Sequence, residues 1–179
     1  MHNKQLCRFY KQMPNIILKI NSPAAKIYES ENICCYLADS ALPDALLKQL
    51  AATGKMLLLY GAKAGETAAD GVVVEVDSAK PVKAQIRPLR EQLGSKKALG
   101  VVINPTRHEA MLASETEPEF VAFRVNAENI EKAREVIKWY NELFLIQSAA
   151  DLSAGPVDIK GLDVDFVIIN SADYDDFSC

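Results

Sequence analysis

Short apolar runs rich in β-branched residues recur along this chain, and a polar or helix-patterned stretch follows most of them. Runs of this length, bounded by turn residues, are typical of β-strands. The runs are too far apart to be joined as tight hairpins. The predicted strands are NIILKI (15–20), ICCYLA (33–38), MLLLY (56–60), GVVVEV (71–76), ALGVVIN (98–104), FVAFRV (120–125), LFLIQS (143–148) and FVIIN (166–170).

Most of these runs are continuously apolar and show little alternation, which indicates strands that are covered on both faces. Such strands belong to a parallel sheet with helices between them. Eight of them predict an α/β fold, a compact (β/α)8 barrel of the TIM type with shortened helices, as a single domain over residues 1–179. The alternative is an open doubly wound sheet of five or six strands, in which NIILKI or ICCYLA is an edge or a helix fragment.

Four of the intervening stretches carry helix signals. Thr106 and Glu109 form a capping box at the start of TRHEAMLAS (106–114), and residues 129–143 place apolar side chains on one helical face. In residues 41–55 a proline in the first turn and a glycine at the end mark a third helix. Residues 79–96 are helix-patterned, but Pro88 removes a backbone donor and should begin, bend or split that helix. The stretches 22–32, 61–70 and 149–164 are too short or irregular for a full helix.

Composition and charge narrow the classes of function. Of 179 residues, 49% are hydrophobic and 25% charged, as in ordinary globular proteins. Twenty basic and 24 acidic residues give a net charge of -4, which offers nucleic acid no basic surface. No segment is apolar for long enough to suggest a membrane span or a signal peptide, so we expect a cytoplasmic protein with reduced cysteines and no membrane partner.

Four stretches resemble the thiamine-phosphate synthase and thiazole tautomerase family of phosphate-binding barrels. They are AADGVVVEV (68–76), LGVVINPTRHEAMLASE (99–115), EPEFVAFRV (117–125) and the region 142–172, which stand where that family has its fourth to eighth strands. The chain is most similar to a diverged group among alphaproteobacteria with an aromatic pair like Trp139-Tyr140 in the sixth helix. The resemblance implies the barrel fold and a phosphate-binding ancestry.

The chain also departs from that family where the family holds its substrate. The family's pyrophosphate-binding Q-x-R-x-K segment is replaced by CCYLADS (34–40), and its magnesium-binding N-D pair by the stretch LLLYGAK (57–63). Ala149-Ala150 stand in place of the glycine pair of a phosphate turn, where backbone amides must approach closely. The family uses Mg2+, but its ligands are not retained here, so the resemblance implies a protein without synthase activity and leaves its cofactor unknown.

Chemistry in a β/α barrel lies at the carboxyl ends of the strands, so the candidate ligand-binding residues are read there. Arg124 is suited to clamp a phosphate or carboxylate, although a strand arginine is more often salt-bridged. Glu75 is a general base or, as we favour, the partner of Lys63 or Arg124. Neither histidine has neighbours at metal-ligand spacing, so we expect no metal site. The candidates are Arg124, Glu75, Asp77, Lys63, Asn104, Gln147, Ser148, Asn170 and Ser171, with Asp39, Ser40, Tyr60 and Asn126 as further polar residues at strand ends.

These observations leave three functional hypotheses. The first is a thiamine-phosphate-synthase-like barrel that has lost synthase activity and binds a phosphorylated or heteroaromatic, thiamine-related ligand. The second is a non-catalytic structural or regulatory protein that acts through self-association as a homo-oligomer or through a protein partner. The third is an active enzyme for another substrate that uses Glu75 or Asp77 together with Arg124.

Overall fold

Eight parallel strands close into a barrel in the computed structural model, which describes residues 14–61 and 69–177. Each strand pairs with its sequence neighbours, and β1 pairs with β8, so the open-sheet alternative is wrong. The strands are β1 (Asn15–Ile20), β2 (Ile33–Asp39), β3 (Met56–Tyr60), β4 (Gly71–Glu75), β5 (Ala98–Ile103), β6 (Phe120–Arg124), β7 (Gln147–Asp151) and β8 (Phe166–Asn170).

The helices of the described residues are α1 (Asp44–Ala52), α2 (Val82–Leu93), α3 (Arg107–Ser114), α4 (Ile130–Leu143) and a single turn α5 (Tyr174–Phe177). The connections 21–32 and 152–165 carry no helix, which confirms the prediction of a barrel with abbreviated connections. The predicted irregular stretch 61–70 falls largely outside the described residues. No helix in the described part of the chain is both long and apolar enough to cross a membrane.

The seventh strand was predicted wrongly. Residues 143–148 were expected to form it, but β7 is Gln147–Asp151, four residues further on. The apolar run is instead the end of α4 and a loop, where Phe144 stacks on Tyr140 with ring centroids 4.8 Å apart and Leu145 is fully exposed. The strand itself is short of large apolar residues because its inward Ala149 faces an interior that holds the rings of Phe120 and Phe166.

Two predictions about helix starts also need correction. Thr106 accepts a hydrogen bond from the Glu109 amide at 3.2 Å, as a capping residue should. The reciprocal half is absent, since the Glu109 carboxylate accepts from the Asn104 amide at 2.9 Å and from Ser78 Oγ at 2.8 Å. Pro88 lies inside α2, so it neither begins nor splits that helix, and the carbonyl that loses its hydrogen bond belongs to Ala84, an exposed residue.

The barrel interior and the space beneath the helices form two separate apolar cores. Gly100 shows how tightly the interior is filled, because a Cβ there would lie 2.2 Å from Cζ of Phe120. Only glycine fits beside that ring. The inner core contains one residue from the middle of each strand: Ile17, Leu37, Leu58, Val73, Val102, Ala122, Ala149 and Ile168.

A repeated contact closes the amino end of the barrel. Asp70, immediately before β4, accepts a hydrogen bond from the backbone amide of Leu57 in β3 at 2.8 Å. Asp165, before β8, accepts from the Ser148 amide in β7 at 2.8 Å. Glu119, before β6, does the same for the Leu99 amide in β5. Each of these three acidic side chains thus connects the start of one even-numbered strand to the strand before it.

Candidate functional site

A polar layer lies directly above the apolar interior of the barrel. Because side chains alternate along a strand, the residue two positions after each inner-core residue points to the same side, at or just beyond the carboxyl end. This layer contains Lys19, Asp39, Tyr60, Glu75, Asn104, Arg124, Asp151 and Asn170. The alternation therefore brings charged, amide and phenol groups from the eight strands to the end of the barrel where such folds place their chemistry.

A cavity of about 310 Å³ opens on one side of this layer. Its size is at the lower end of the range that holds small ligands. The residues that line it are Lys19, Glu75, Asn104, Arg124, Val125, Asn126, Asn129, Asp151, Ser153 and Ala154. Two cations, two carboxylates and several neutral polar groups therefore share one small space.

One chain of contacts runs along the β1 side of the cavity. Lys19 Nζ lies 3.4 Å from Glu75 Oε1 and 3.5 Å from Ser153 Oγ, and it sits 4.7 Å above the centre of the Tyr60 ring. Ser153 Oγ in turn donates to Asp151 Oδ1 at 2.6 Å, and the Ser153 amide donates to the same oxygen at 3.0 Å. Lys19 is therefore held in place by an anion, a hydroxyl and an aromatic face.

A second chain runs on the β6 side. Arg124 NH1 donates to Asn104 Oδ1 at 3.3 Å, and Asn104 Nδ2 donates to Ser78 Oγ at 2.7 Å. Ser78 Oγ donates to the buried carboxylate of Glu109 at 2.8 Å. Since the Ser78 proton goes to Glu109, its oxygen must accept from the amide nitrogen of Asn104, and this leaves the amide oxygen facing Arg124.

Arg124 is the cation of the cavity that has no acidic partner among the described residues. Besides Asn104, its guanidinium donates through NH2 to the carbonyl of Val76 at 3.1 Å, and both acceptors are neutral. These two bonds use two of its five N–H donors. The backbone carbonyl of Arg124 accepts from Asn129 Nδ2 at 3.0 Å, which fixes the end of β6. A half-buried guanidinium with spare donors is suited to a phosphate or carboxylate.

Burial and neighbouring charge shift the pKa of one residue of this layer and that of a thiol in the inner core. Desolvation, with the negative charges of Asp39 and Glu75, raises the pKa of Tyr60 to about 12, so its phenol stays neutral at ordinary pH. Burial also raises the pKa of the Cys35 thiol in the inner core. Cys34 and Cys35 are both free thiols, and neither is activated as a nucleophile by these environments.

Four of the predicted polar residues line the cavity: Arg124, Glu75, Asn104 and Asn126. The favoured partners of Glu75 were Lys63 or Arg124, but the described cation that binds it is Lys19. Lys63 itself lies outside the described residues. His108 is exposed at the start of α3.

Other predicted residues lie elsewhere. Asp77 is exposed in the loop after β4, where the Ala79 amide and the Lys80 ammonium lower its pKa. Asn170 belongs to the polar layer but donates to the Ser153 carbonyl and to Asp173, each at 3.0 Å. Ser171 is buried and donates to the backbone carbonyl of Lys26.

Gln147 and Ser148 were placed wrongly. Both were expected at the carboxyl end of the seventh strand, but they begin β7 at the opposite end of the barrel. The Ser148 hydroxyl is buried there and has no hydrogen-bond partner among the described residues. The same shift places Ala149 and Ala150 inside the strand, so they do not occupy a phosphate turn.

Four polar residues of the cavity were not predicted from the sequence: Lys19, Asn129, Asp151 and Ser153. Lys19 could have been found from the alternation of β1, because it shares a face with Ile17. Asp151 and Ser153 were hidden by the misplaced strand.

The described residues do not fit the Mg2+ that the resembled family uses. Glu75 is bound to Lys19, one oxygen of Asp151 is taken by Ser153, and Asp77 faces Lys80 outside the cavity. Within residues 14–61 and 69–177, no three His, Cys, Asp or Glu side chains are grouped to share a metal ion. A hard divalent cation requires several converging oxygens, and this arrangement does not offer them.

Comparisons with known proteins agree with this picture of the fold. Over 90 residues the chain is 32% identical to a thiamine-phosphate synthase from Erythrobacter litoralis (strain HTCC2594), covering 46% of this chain and 40% of that enzyme. The match thus spans less than half of the curated relative. No family model matches the chain.

Two solved structures share the architecture over most of the chain. Tryptophan synthase from M. tuberculosis superposes with a TM-score of 0.63 and 11% identity, covering 94% of this chain and 86% of that one. The YdjI aldolase from Escherichia coli K12 gives 0.67 and 7%, with coverages of 91% and 77%. At these identities the likeness shows the fold alone. The comparisons therefore support a (β/α)8 barrel throughout and a thiamine-phosphate-synthase-like sequence over just under half of the chain.

Proposed function

We propose that this protein is a thiamine-phosphate-synthase-like barrel that binds a small phosphorylated ligand at its carboxyl-end cavity and has no synthase activity. The observation that carries the proposal is Arg124, a guanidinium that lines the cavity and whose described partners are neutral oxygens. A cation held in place by hydrogen bonds and lacking a protein anion is a ready partner for a phosphate.

The surroundings of Arg124 favour a small ligand. The cavity of about 310 Å³ has room for a phosphate ester of a few heavy atoms, and Asn126 and Asn129 lie beside the arginine as further polar lining. Glu75 does not compete for Arg124, because it is bound to Lys19. The phosphate would take the donors of Arg124 that protein groups leave unused.

The absence of synthase activity is proposed on the charges near the cavity. Expulsion of pyrophosphate develops negative charge that cations or magnesium must stabilise, and each lost electrostatic contact of this kind costs roughly 3 kcal/mol in the transition state. In the described cavity Lys19 is already paired with Glu75, which leaves Arg124 as the cation free of an acidic partner. A single such contact is too little to support pyrophosphate transfer.

Calorimetric titration with inorganic phosphate, thiamine phosphate, the thiazole phosphate and pyrophosphate, each with and without magnesium, tests the proposal. We expect at least one phosphorylated compound to bind, and Arg124→Gln to weaken it at least tenfold. Arg87→Gln, on the exposed face of α2, is the matched control and should leave binding unchanged. An assay for thiamine phosphate formation should detect no product.

Failure of every compound to bind the intact protein would reject the ligand-binding half of the proposal. Formation of thiamine phosphate would reject the other half. Equal weakening by Arg124→Gln and Arg87→Gln would show that net charge, and not the cavity arginine, determines affinity.

Self-association, the alternative function, stays a prediction. The observation that favours it is the exposed side chain of Leu145, next to the largely exposed Leu143, at the end of α4. Exposed leucines that lie close together are common at protein interfaces. The surface of two leucine side chains is small compared with the area that a stable interface buries.

A further inference from the structure

We infer that Asp151 makes the cavity selective for phosphorylated ligands that carry a hydroxyl or ammonium group close to the phosphate. The inference rests on the proposed function, because it takes the phosphate to lie at Arg124. It specifies a second group of the ligand, the hydroxyl or ammonium group, which neither the sequence resemblance nor Arg124 suggests.

Asp151 is 7% exposed, and its carboxylate lines the cavity at the end of β7. Oδ1 is fixed by two donors, the Ser153 amide at 3.0 Å and Ser153 Oγ at 2.6 Å. No described protein group donates to Oδ2. The carboxylate is therefore oriented by one oxygen and presents the other as an acceptor.

Asp151 and Arg124 lie close enough for one small ligand to contact both. The two residues are paired in register on the adjacent strands β6 and β7, whose backbones lie about 4.8 Å apart, and both line the cavity of about 310 Å³. The Arg124 guanidinium extends toward Asn104 and the Val76 carbonyl, so a ligand would bridge the space between it and the Asp151 carboxylate. A phosphorylated two-carbon alcohol or amine is among the smallest ligands that carry both a phosphate and a donor group, and it suits a cavity of this size.

Ligand selection follows from the cost of leaving a buried acceptor unpaired. A ligand without a donor places apolar atoms against Oδ2 and removes water from it, and this desolvation weakens binding. A hydroxyl or ammonium group restores the hydrogen bond, and a bond to a charged acceptor is among the stronger ones. Sites that hydrogen-bond a ligand group reject the analogue that lacks it.

Three matched probes test the inference: ethyl phosphate, 2-hydroxyethyl phosphate and 2-aminoethyl phosphate, titrated calorimetrically at one pH and ionic strength. They differ only in the group on the second carbon. We expect the intact protein to bind the hydroxyl or the amino compound about tenfold more tightly than ethyl phosphate. The preference between these two compounds identifies the natural donor.

Asp151→Asn should reduce that preference to about twofold or less while ethyl phosphate binds with similar affinity. Asp163→Asn, in the exposed loop before β8, is the matched control and should leave the preference unchanged. Thermal unfolding of both variants shows whether the barrel is intact, and the comparison of probes on the unaltered protein needs no variant.

The outcomes separate the two proposals. Equal affinity for all three probes, with all of them weakened by Arg124→Gln, overturns the selectivity and leaves the phosphate site standing. A preference that persists in Asp151→Asn also overturns the role of Asp151. Failure of all three probes to bind, together with the phosphates tested above, overturns both proposals.

Discussion

At the amino end of the barrel acidic side chains bind the backbone of a neighbouring strand, whereas at the carboxyl end they bind side chains and nearby loop amides or face a cavity. Asp165 and Glu119 accept from amides of the neighbouring strand, so their charge supports the fold. Glu75 and Asp151 instead contact Lys19 and Ser153 in the polar layer. The same residue types therefore support the fold at one end and line a polar cavity at the other, which matches the usual separation of stability and chemistry in β/α barrels.

The largest expected effect is a loss of stability on substitution of an acidic residue at the amino end. Glu119→Ala removes the acceptor of the Leu99 amide and the ion-pair partner of Arg90, whose buried Nε has no hydrogen-bond partner in the part of the chain that the structure describes. We expect the free energy of unfolding to fall by about 2 kcal/mol, measured by denaturant titration. Phosphate affinity should not change.

Glu91→Ala, on the exposed face of α2, is the control and should cost no more than about 0.5 kcal/mol. A loss of phosphate affinity in Glu119→Ala, at a temperature where the protein is folded, would contradict the separation of the two ends.

An intermediate effect is expected at Glu109, which binds backbone and also supports the polar residues of the cavity. Glu109→Gln keeps the size of a buried side chain but loses one of the two hydrogen bonds that it accepts, from the Asn104 amide or from Ser78. Since Asn104 orients Arg124, we expect a loss of about 1 kcal/mol in stability together with about threefold weaker phosphate binding. Both are measured on the same purified variant.

Glu115→Gln, at the end of the same helix, is the control because its partner is Lys83 on the surface. It should change neither quantity appreciably. Unchanged phosphate affinity in Glu109→Gln would show that Arg124 does not depend on the chain of contacts through Asn104 and Ser78.

The smallest effect concerns pH. The pKa of Tyr60 is about 12 in the folded protein and about 10 when the chain is unfolded, so folding favours the neutral phenol. Its contribution to stability is complete below pH 10 and is lost as the pH rises through 12. Tyr60→Phe should make the decline in stability between pH 10 and 12 shallower by about 1 kcal/mol or less, because the ring is partly exposed to solvent.

Denaturant titrations at pH 8, 10, 11 and 12 measure this decline, with phosphate affinity at pH 7.5 as a second readout. That affinity should not change, since Tyr60 does not line the cavity around Arg124. An unaltered pH profile in Tyr60→Phe would contradict the assigned cause.

The fold was largely predictable because strand interiors follow simple periodicity. The bounds of β1, β3 and β8 coincide with the predicted runs, and the helix over residues 130–143 follows its apolar face. The prediction failed at β7, where small and polar residues form the strand and large apolar ones form the loop before it. Side-chain volume, and not hydrophobicity, determines that strand, because aromatic rings from β6 and β8 already fill the interior.

The site was less predictable because it depends on which residues face one another across the barrel. Arg124, Glu75 and Asn104 were found from their place at strand ends. The pairing of Glu75 with Lys19 joins residues 56 positions apart and leaves no local pattern. Asp151 was missed because the seventh strand was predicted four residues too early. The residues predicted at its carboxyl end are in fact the first residues of β7. Correct bounds for β7, together with the alternation along β1, would have revealed Asp151 and Lys19.

The contact between Gly100 and the Phe120 ring constrains how this barrel can change over time. A side chain at position 100 requires a smaller residue at 120, and a smaller residue at 120 alone leaves a void that costs stability. Neither change is tolerated well without the other. In an alignment of close relatives these two positions should therefore covary, with a compact pair of ordinary side chains as the main alternative to glycine and phenylalanine.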